Sequence, residues 1–581
     1  MKGRSLFGGL LLDCGMSSVA LEFEHFIGVN PVPRGAQFHP DGQHYVFAAG
    51  GNVVLGDISD PHKQEFLRKH DDYVTVVQLS KRGNFIGSGQ RGSNSNVVIW
   101  SYETREIMFI CEEHDEVVTA IDFSEDEKIV ATLGGNLEIG GNLIFWDMST
   151  GYIIAASGKI PPRTNCLSFN GKVRDIKRRD TEQYLCCTAG KDGVMLWHLD
   201  AFIGELIPFR MAGDGRATLT REITALAFSD DKETCYCATT TGDFLVGSIK
   251  SQKMVQAIQA TKLGLFSILA LPSSRGGGVA VGCGDNTIKV FDGKFELKST
   301  AKLDSSILGL GMSSDALEAL SISSRGTICR VNLASLDYLT LSEAHTAPIT
   351  CISFCLGQND RFATGSQDGS IRVWDMSEYV VVGTVAPRKE SDAGLYKYFP
   401  KCISYADIII SGWSDGKIIA YNEEGSYLWQ IDAAHPEAVT CLTLSHNRRF
   451  LMTGGPQGEV RMWELRTRDL ISNLKEHKSK VTCIALTADD STAITCSRDR
   501  CILEWDLRDE KRVFCQMQRM GGINCLAIMP DQKTVVSVGQ ERNLVYWNRG
   551  VLDCAHRISL TGGPVDDEEN GDEAYFVALY V

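Results

Sequence analysis

Threonine, histidine, aspartate and tryptophan recur together at fixed spacings in this 581-residue chain. One set is His345, Thr364, Asp368 and Trp374; a second is His477, Thr495, Asp499 and Trp505. A hydroxyl, an imidazole and a carboxylate are the parts of a nucleophilic triad. The repetition argues for another use, because a catalytic site is built once and these sets are built per repeat. The four-residue step from hydroxyl to Asp returns at Ser411/Asp415 and Thr188/Asp192. A buried indole N–H and a buried imidazole each require a hydrogen-bond partner, and the set supplies them. We read the two sets as structural blade networks and assign no catalytic residue.

Such a network needs short antiparallel strands in register. Trp463, Trp505 and Trp547 stand 42 residues apart, and Tyr421 lies one further step back. A period of this size ending in Trp-Asp or Trp-Glu marks a WD-type β-propeller blade of four strands, a to d from the inside outward. In such a blade the d-to-a and b-to-c turns share one end. A His before strand a therefore meets Asp in the b-to-c turn, Thr on strand b and Trp on strand c. Gly87, Gly89 and Gly92 match G-x-G-x-x-G, but a strand (NVVIW) follows where a nucleotide site needs a helix, so this is a b-to-c turn.

Twelve repeats are legible, the first from about Arg34 and the last ending at Asn548, with CAHRISL as one more outer-strand candidate. Propellers close with four to eight blades, so twelve repeats imply two rings. The fold class expected is all-β: two tandem WD-repeat β-propellers, the first seven-bladed, the second with five recognisable blades. The division expected is a disordered leader at 1–19, a first propeller at 20–344, a second at 345–560 and an acidic tail at 561–581. ALEFEHFIGV (20–29) reads as a spare strand that closes a ring by pairing with another blade, and NGKVRDIKRRDTEQ in the fourth repeat as a long a-to-b loop.

A net charge of −15 and a pI near 5.4 argue against a general binder of nucleic acid or anionic membrane. No apolar run reaches the roughly 20 residues of a membrane-spanning helix. The 19 cysteines contain no C-x-x-C pair, so neither a zinc site nor thioredoxin-like chemistry is supported, and no cofactor or metal is expected. Cys351, Cys441, Cys483 and Cys525 open equivalent strands and read as core residues in a reducing compartment.

Two surface features suggest partners. The b-to-c loops QRGSNSN and GGNLEIGG, with the connection SGKIPPRTN, are enlarged on one face and form a candidate docking surface. On the opposite face, Lys172, Arg174, Lys177, Arg178 and Arg179 form a candidate partner-binding loop for an acidic surface such as tubulin.

The string EHKSKVTCIALTADDSTAITCSRDRCILEWDL, with GGPQGEVRMWEL and SGWSDGKIIAYNEEG before it, resembles the second propeller of the cilia- and flagella-associated protein fifty-two family. FIGVNPVPRGAQFHPDGQHYVF and IGSGQRGSNSNVVIW are similar to that family's first blades. The resemblance spans residues 21–548 and is densest from 408 onward. It implies two seven-bladed rings inside the B-tubule of ciliary and flagellar doublet microtubules, near the inner junction. There the protein would bind tubulin and neighbouring inner-junction proteins and stabilise the axoneme for cilium motility, with no catalytic residues to carry over. The chain departs from the family pattern after residue 344, where five blades and a fragment follow. The alternative is a soluble cytoplasmic WD-repeat adaptor, such as a ubiquitin-ligase substrate receptor or an actin regulator. A propeller enzyme would need a single non-repeating ionisable cluster at one ring's channel, and the sequence offers none.

Overall fold

Alternating apolar residues punctuated by Gly, Asn and Asp turns fold into twelve four-stranded antiparallel sheets, each built from four consecutive strands in simple meander order. The computed structural model describes residues 25–60, 62–136, 138–174, 180–212, 221–357, 360–387, 398–517, 521–540, 543–549 and 553–559. The leader at 1–19 and the tail at 561–581 lie outside them. Blades 1 to 7 occupy residues 36–68, 74–111, 118–160, 164–210, 223–259, 265–302 and 307–342. Blades 8 to 12 occupy 349–385, 400–431, 441–475, 481–517 and 523–559. The outer-strand candidate CAHRISL is strand d of blade 12, Asp553–Ser559. The chain divides into two compact units between Ala344 and His345.

Each blade packs on the next through apolar faces. Between blades 2 and 3 these are Val76, Val97 and Ile99 against Val118, Ile121, Phe123 and Trp146, all buried. Fully burying one such side chain stabilises by about 1.5–3 kcal/mol. In the first unit the series returns on itself, with Leu320, Ile322 and Ile328 of blade 7 packed on Ala36, Phe38 and Phe47 of blade 1.

Where an Asp follows the strand-c Trp, at Asp147, Asp375 and Asp506, it has a local task. Asp147 accepts from the backbone N–H of Ser149 (2.7 Å) and Thr150 (3.1 Å), and Asp506 from those of Arg508 (2.8 Å) and Asp509 (3.2 Å). The carboxylate thus holds the c-to-d turn. The turn then needs a left-handed residue, which is Gly151 after Asp147 (φ 72°).

Three expectations are corrected. First, residues 25–29 form no strand. Blades 1 and 7 each already hold four strands of their own, so no place in a sheet is vacant. The segment is instead a plug: the Phe26 N–H donates to Gln64 Oε1 (2.8 Å), and the Asn30 amide donates to the carbonyls of Gly50 (3.0 Å) and Val74 (2.8 Å). Second, much of the expected loop in blade 4 is strand, Thr164–Arg174 pairing with Asp180–Gly190. Two register shifts let Lys172 pair with Tyr184 and Arg174 with Asp180, so the hairpin continues through charged residues. Third, most of GGNLEIGG is strand as well, since Ile129–Asn136 and Gly140–Asp147 leave only a short turn between them.

Candidate functional site

Strand b brings a hydroxyl under the strand-c indole because the two positions lie on one face, two residues out of direct pairing. In blade 8, Thr364 pairs with Arg372 and Phe362 with Trp374, so the indole reaches back along the sheet to the hydroxyl. Trp374 Nε1 donates to Thr364 Oγ1 at 2.7 Å, and His345 Nε2 lies 2.8 Å from the same oxygen. His345 Nδ1 is 3.1 Å from Asp368 Oδ2. In blade 11, Trp505 Nε1 donates to Thr495 Oγ1 (2.9 Å), His477 Nε2 lies at 2.9 Å and His477 Nδ1 at 3.0 Å from Asp499.

Thr364 and Thr495 are 3% and 0% exposed, so neither hydroxyl meets a substrate. Burial lowers the His477 pKa, with Asp499 opposing it. Burial pushes the Asp499 carboxyl up, but the backbone N–H groups of Lys478 and Cys501 and the adjacent His477 more than reverse this, leaving it lowered. A neutral imidazole with Nδ1–H toward the carboxylate and Nε2 accepting the hydroxyl proton satisfies every member of the set.

Sequence reasoning missed the variants of this network. In blade 10, His435, Thr453 and Trp463 use Glu459, the first residue of strand c, in place of a turn Asp. In blade 2, His70 and Trp100 share Ser88, and Gln90 takes the carboxylate's place at 2.7 Å from Nδ1. In blade 5, Arg221 stands where His does, 3.0 Å from Asp243. In blade 3, His114 Nε2 meets Thr132 at 2.8 Å, but His114 Nδ1 is buried without a partner. The Gly134–Gly135 pair beside it offers no side chain.

A second feature was also missed. In most blades strand a carries a bulge after its first residue, as at Val74/Val76 and Val481/Cys483. The skipped Thr, or in blade 10 the Thr just before strand a, turns its hydroxyl to the next blade. Thr75 donates to the Val118 carbonyl (2.6 Å), Thr350 to that of Pro400 (2.6 Å), Thr440 to that of Val481 (2.5 Å) and Thr482 to that of Ile523 (2.8 Å). The repeated V-T-C phrase was the available signal. Just before strand a of blade 1, Arg34 donates to Gln78 Oε1 (3.3 Å) and to the carbonyls of Ile121 (3.3 Å) and Leu167 (3.0 Å). One guanidinium thus ties the inner strands of blades 2, 3 and 4.

The two candidate partner surfaces fare differently. Lys172 is already engaged by Asp126 (3.2 Å) and Glu182 (3.5 Å), with its ammonium 5.2 Å from the Tyr184 ring centre. It holds blade 4 to blade 3 and lines a cavity of about 610 Å³ with Tyr184, His198 and Lys232. Arg174 ends strand a; its side chain and Lys177, Arg178 and Arg179 lie outside the described residues. On the other face the enlarged turns of blades 2 and 3 do meet: the Gly92 N–H donates to the Glu116 carbonyl (2.7 Å), and the Asn136 amide to Glu116 Oε1 (2.7 Å). They frame a depression of about 480 Å³ lined by Asp72, Arg91, Glu116 and Glu138, with Ile139 at the hairpin tip 83% exposed. Among the described residues no cluster of three or more His, Cys, Asp or Glu side chains is arranged to hold a metal.

Comparison with known proteins bears on what carries these surfaces. Residues 337–375 match the WD domain, G-beta repeat, and residues 390–514 match the Vps8 beta-propeller. The chain is 27% identical to Cilia- and flagella-associated protein 52 of Chlamydomonas reinhardtii, covering 77% of this chain and 71% of that protein. It is 27% identical to the Homo sapiens protein of the same name, covering 79% and 72%. It is 22% identical to WD repeat-containing protein 90 of Xenopus tropicalis, over 76% of this chain and 24% of that protein. With its tandem blades and their buried staples, the chain is similar along about four-fifths of its length to the cilia- and flagella-associated protein 52 WD-repeat proteins.

Proposed function

We propose that this chain is a non-enzymatic scaffold of the ciliary or flagellar axoneme. In this reading it is a microtubule inner protein that binds tubulin and neighbouring inner-junction proteins in the B-tubule lumen and stabilises the doublet. The observation that carries the reading is the similarity to Cilia- and flagella-associated protein 52 across about four-fifths of the chain in several species. The interior supports a passive role: the described hydroxyl–imidazole pairs are buried inside blades, where they fasten strands and reach no solvent. The outside supports docking, because rigid blades present the acidic, Ile139-tipped turns of blades 2 and 3.

The test is to tag the protein in a flagellated cell and extract with detergent. The expected result is signal along the axoneme that survives detergent and is released only when the doublet is dissolved. A diffuse signal that washes out with detergent overturns the reading and supports the cytoplasmic adaptor instead.

A further inference from the structure

In several blades strand c returns to strand d through a turn whose backbone is fixed by one side-chain acceptor, which leaves the two side chains at its tip without structural duty. In blade 4 the acceptor is Asp200, which takes the backbone N–H groups of Phe202 (3.1 Å) and Ile203 (3.3 Å). The same tip positions hold Ser149-Thr150 in blade 3, Ala334-Ser335 in blade 7, Ser377-Glu378 in blade 8 and Arg508-Asp509 in blade 11. Against these small and polar pairs, blade 4 presents Phe202 at 90% and Ile203 at 64% exposure. Strand d of blade 3 lies beside them: a Cβ added at Gly204 would stand 2.8 Å from the Ile154 carbonyl oxygen. At the start of that strand Tyr152 and Ile153 are 77% and 44% exposed. A single exposed apolar residue is ordinary; four on two touching elements, two of them where sister blades are small and polar, mark an interface.

We propose that this rim patch of the first unit docks a segment of another polypeptide that carries apolar side chains beside lysine or arginine. The apolar half of that specification answers Tyr152, Ile153, Phe202 and Ile203. The basic half answers the carboxylates on the blade 4 side. Asp200 stands two residues before Phe202, Glu205 two residues after Ile203, and the Glu182 carbonyl accepts the Ala201 N–H (3.3 Å). Among the described residues the one cation paired with these three carboxylates is Lys172, 3.5 Å from Glu182. The surplus of negative charge favours a basic partner and opposes an anionic lipid surface. A second copy of this chain, at −15 net charge, is a poor occupant. Pro208 sits within the outer strand of blade 4, Glu205–Arg210, opposite Trp197. It offers no N–H, so an added strand would meet a gap in that edge, and the partner is read through side chains. This inference does not rest on the axonemal reading, since the patch is present wherever the protein resides.

The experiment replaces the exposed Tyr152 of the full chain by photo-crosslinking benzoylphenylalanine in its native cell, followed by irradiation and sequencing of the joined peptide. The expected product joins position 152 to a segment of another polypeptide in which apolar residues neighbour lysine or arginine, with a yield that falls as salt is raised. Phe202→Ser together with Ile203→Thr installs the tip that blade 3 already uses in the same turn, so the fold is kept, and the yield is expected to drop about tenfold or more. Glu205→Lys should lower the yield at low salt and flatten its salt dependence. Leu339→Ser, an exposed position on the outer strand of blade 7, should leave it unchanged. A product with lipid, with a second copy or with a peptide lacking lysine and arginine overturns the proposal, as does a yield indifferent to salt or the absence of any product. A detergent-soluble protein that still gives the expected product would sink the axonemal reading and leave this one standing.

Discussion

The hydroxyl of Thr440 crosses from one blade to the next and donates to the carbonyl of Val481, 2.5 Å away. The same hydroxyl also contacts the Gly454 carbonyl of its own blade at 3.1 Å. A single residue at the entry to strand a thereby fastens two sheets whose contact is otherwise apolar and non-directional. Thr440→Val keeps the β-branched shape and deletes the link, leaving the Val481 carbonyl without this donor. The expected loss is about 1–2 kcal/mol, read as a lower urea midpoint for the second unit and faster hydrogen exchange in blades 10 and 11. A midpoint equal to that of the unsubstituted protein would rule out the lock.

The staple in blade 11 is more demanding, because Thr495 serves two partners at once. Thr495→Val strands the Trp505 indole N–H and the His477 imidazole in a buried site. Each unsatisfied group costs about 1–3 kcal/mol, so a loss of about 2–4 kcal/mol is expected. In Trp505→Phe the hydroxyl has one fewer partner to lose, so adding Thr495→Val should cost on the order of 1 kcal/mol less there than in the parent. Strict additivity of the two changes in a thermal-unfolding cycle would contradict the shared hydrogen bond.

These two devices differ in how far the sequence disclosed them. The Trp–Thr–His set was legible because its members recur at one spacing, and only buried partners need such regularity. Its variants were not, since Gln90, Glu459 and Arg221 supply the same polar contact with other residue types. The Thr lock hid in plain sight, because Thr is a common strand residue and its role appears only once the bulge directs it outward. The a-to-b hairpin of blade 4 was read as a long loop because Lys172, Arg174 and Asp180 break the apolar alternation, whereas the ladder runs on through them with Lys172 paired to Asp126 and Glu182. Asn30 and Arg34 were beyond sequence reasoning: their partners lie 44 and up to 133 residues away.

Arg34 makes a prediction confined to the first unit. Arg34→Met keeps most of the stem and removes the guanidinium that joins Gln78, Ile121 and Leu167. Hydrogen bonds to a charged donor are worth about 1.5–3 kcal/mol, lessened here because Arg34 is only partly buried. Hydrogen exchange should quicken in strands Val74–Leu79, Val118–Phe123 and Thr164–Arg174 and remain as before in blades 8 to 12. Equal acceleration in both units would show that Arg34 acts on something other than these three strands.

The buried histidines of blades 2 and 3 set a pH limit. Burial lowers the pKa of both His70 and His114 from 6.5 to about 4. Both are neutral in the folded and unfolded chains above pH 6.5, so they impose no penalty there. Between pH 6.5 and about 4 the unfolded chain takes up protons that the folded one refuses, and stability falls as pH falls. The expected loss is about 3 kcal/mol for each by pH 4, where it levels off. Imidazole C–H resonances of both residues should stay at their neutral positions to about pH 4.5 in the folded protein. Titration of either near 6.5 with the fold intact would refute the burial.

The cysteines give the most direct chemical reading of the interior. Among the described cysteines Cys515 is the exposed one. Burial raises the thiol pKa of Cys111 and of Cys166 to about 12. Reaction with a maleimide needs both thiolate and access, and these two residues lack both. At neutral pH the native protein should therefore label quickly at Cys515 and not at Cys111 or Cys166, which should react only after denaturation. Peptide mapping after a short pulse distinguishes the sites, and Cys14 and Cys554, outside the side chains described, are scored separately. The interior thiols line blade interfaces, Cys111 between blades 2 and 3 and Cys166 between blades 4 and 5. Rapid native labelling of either would mean that blades part readily, and a ring that parts readily could not serve as a rigid scaffold.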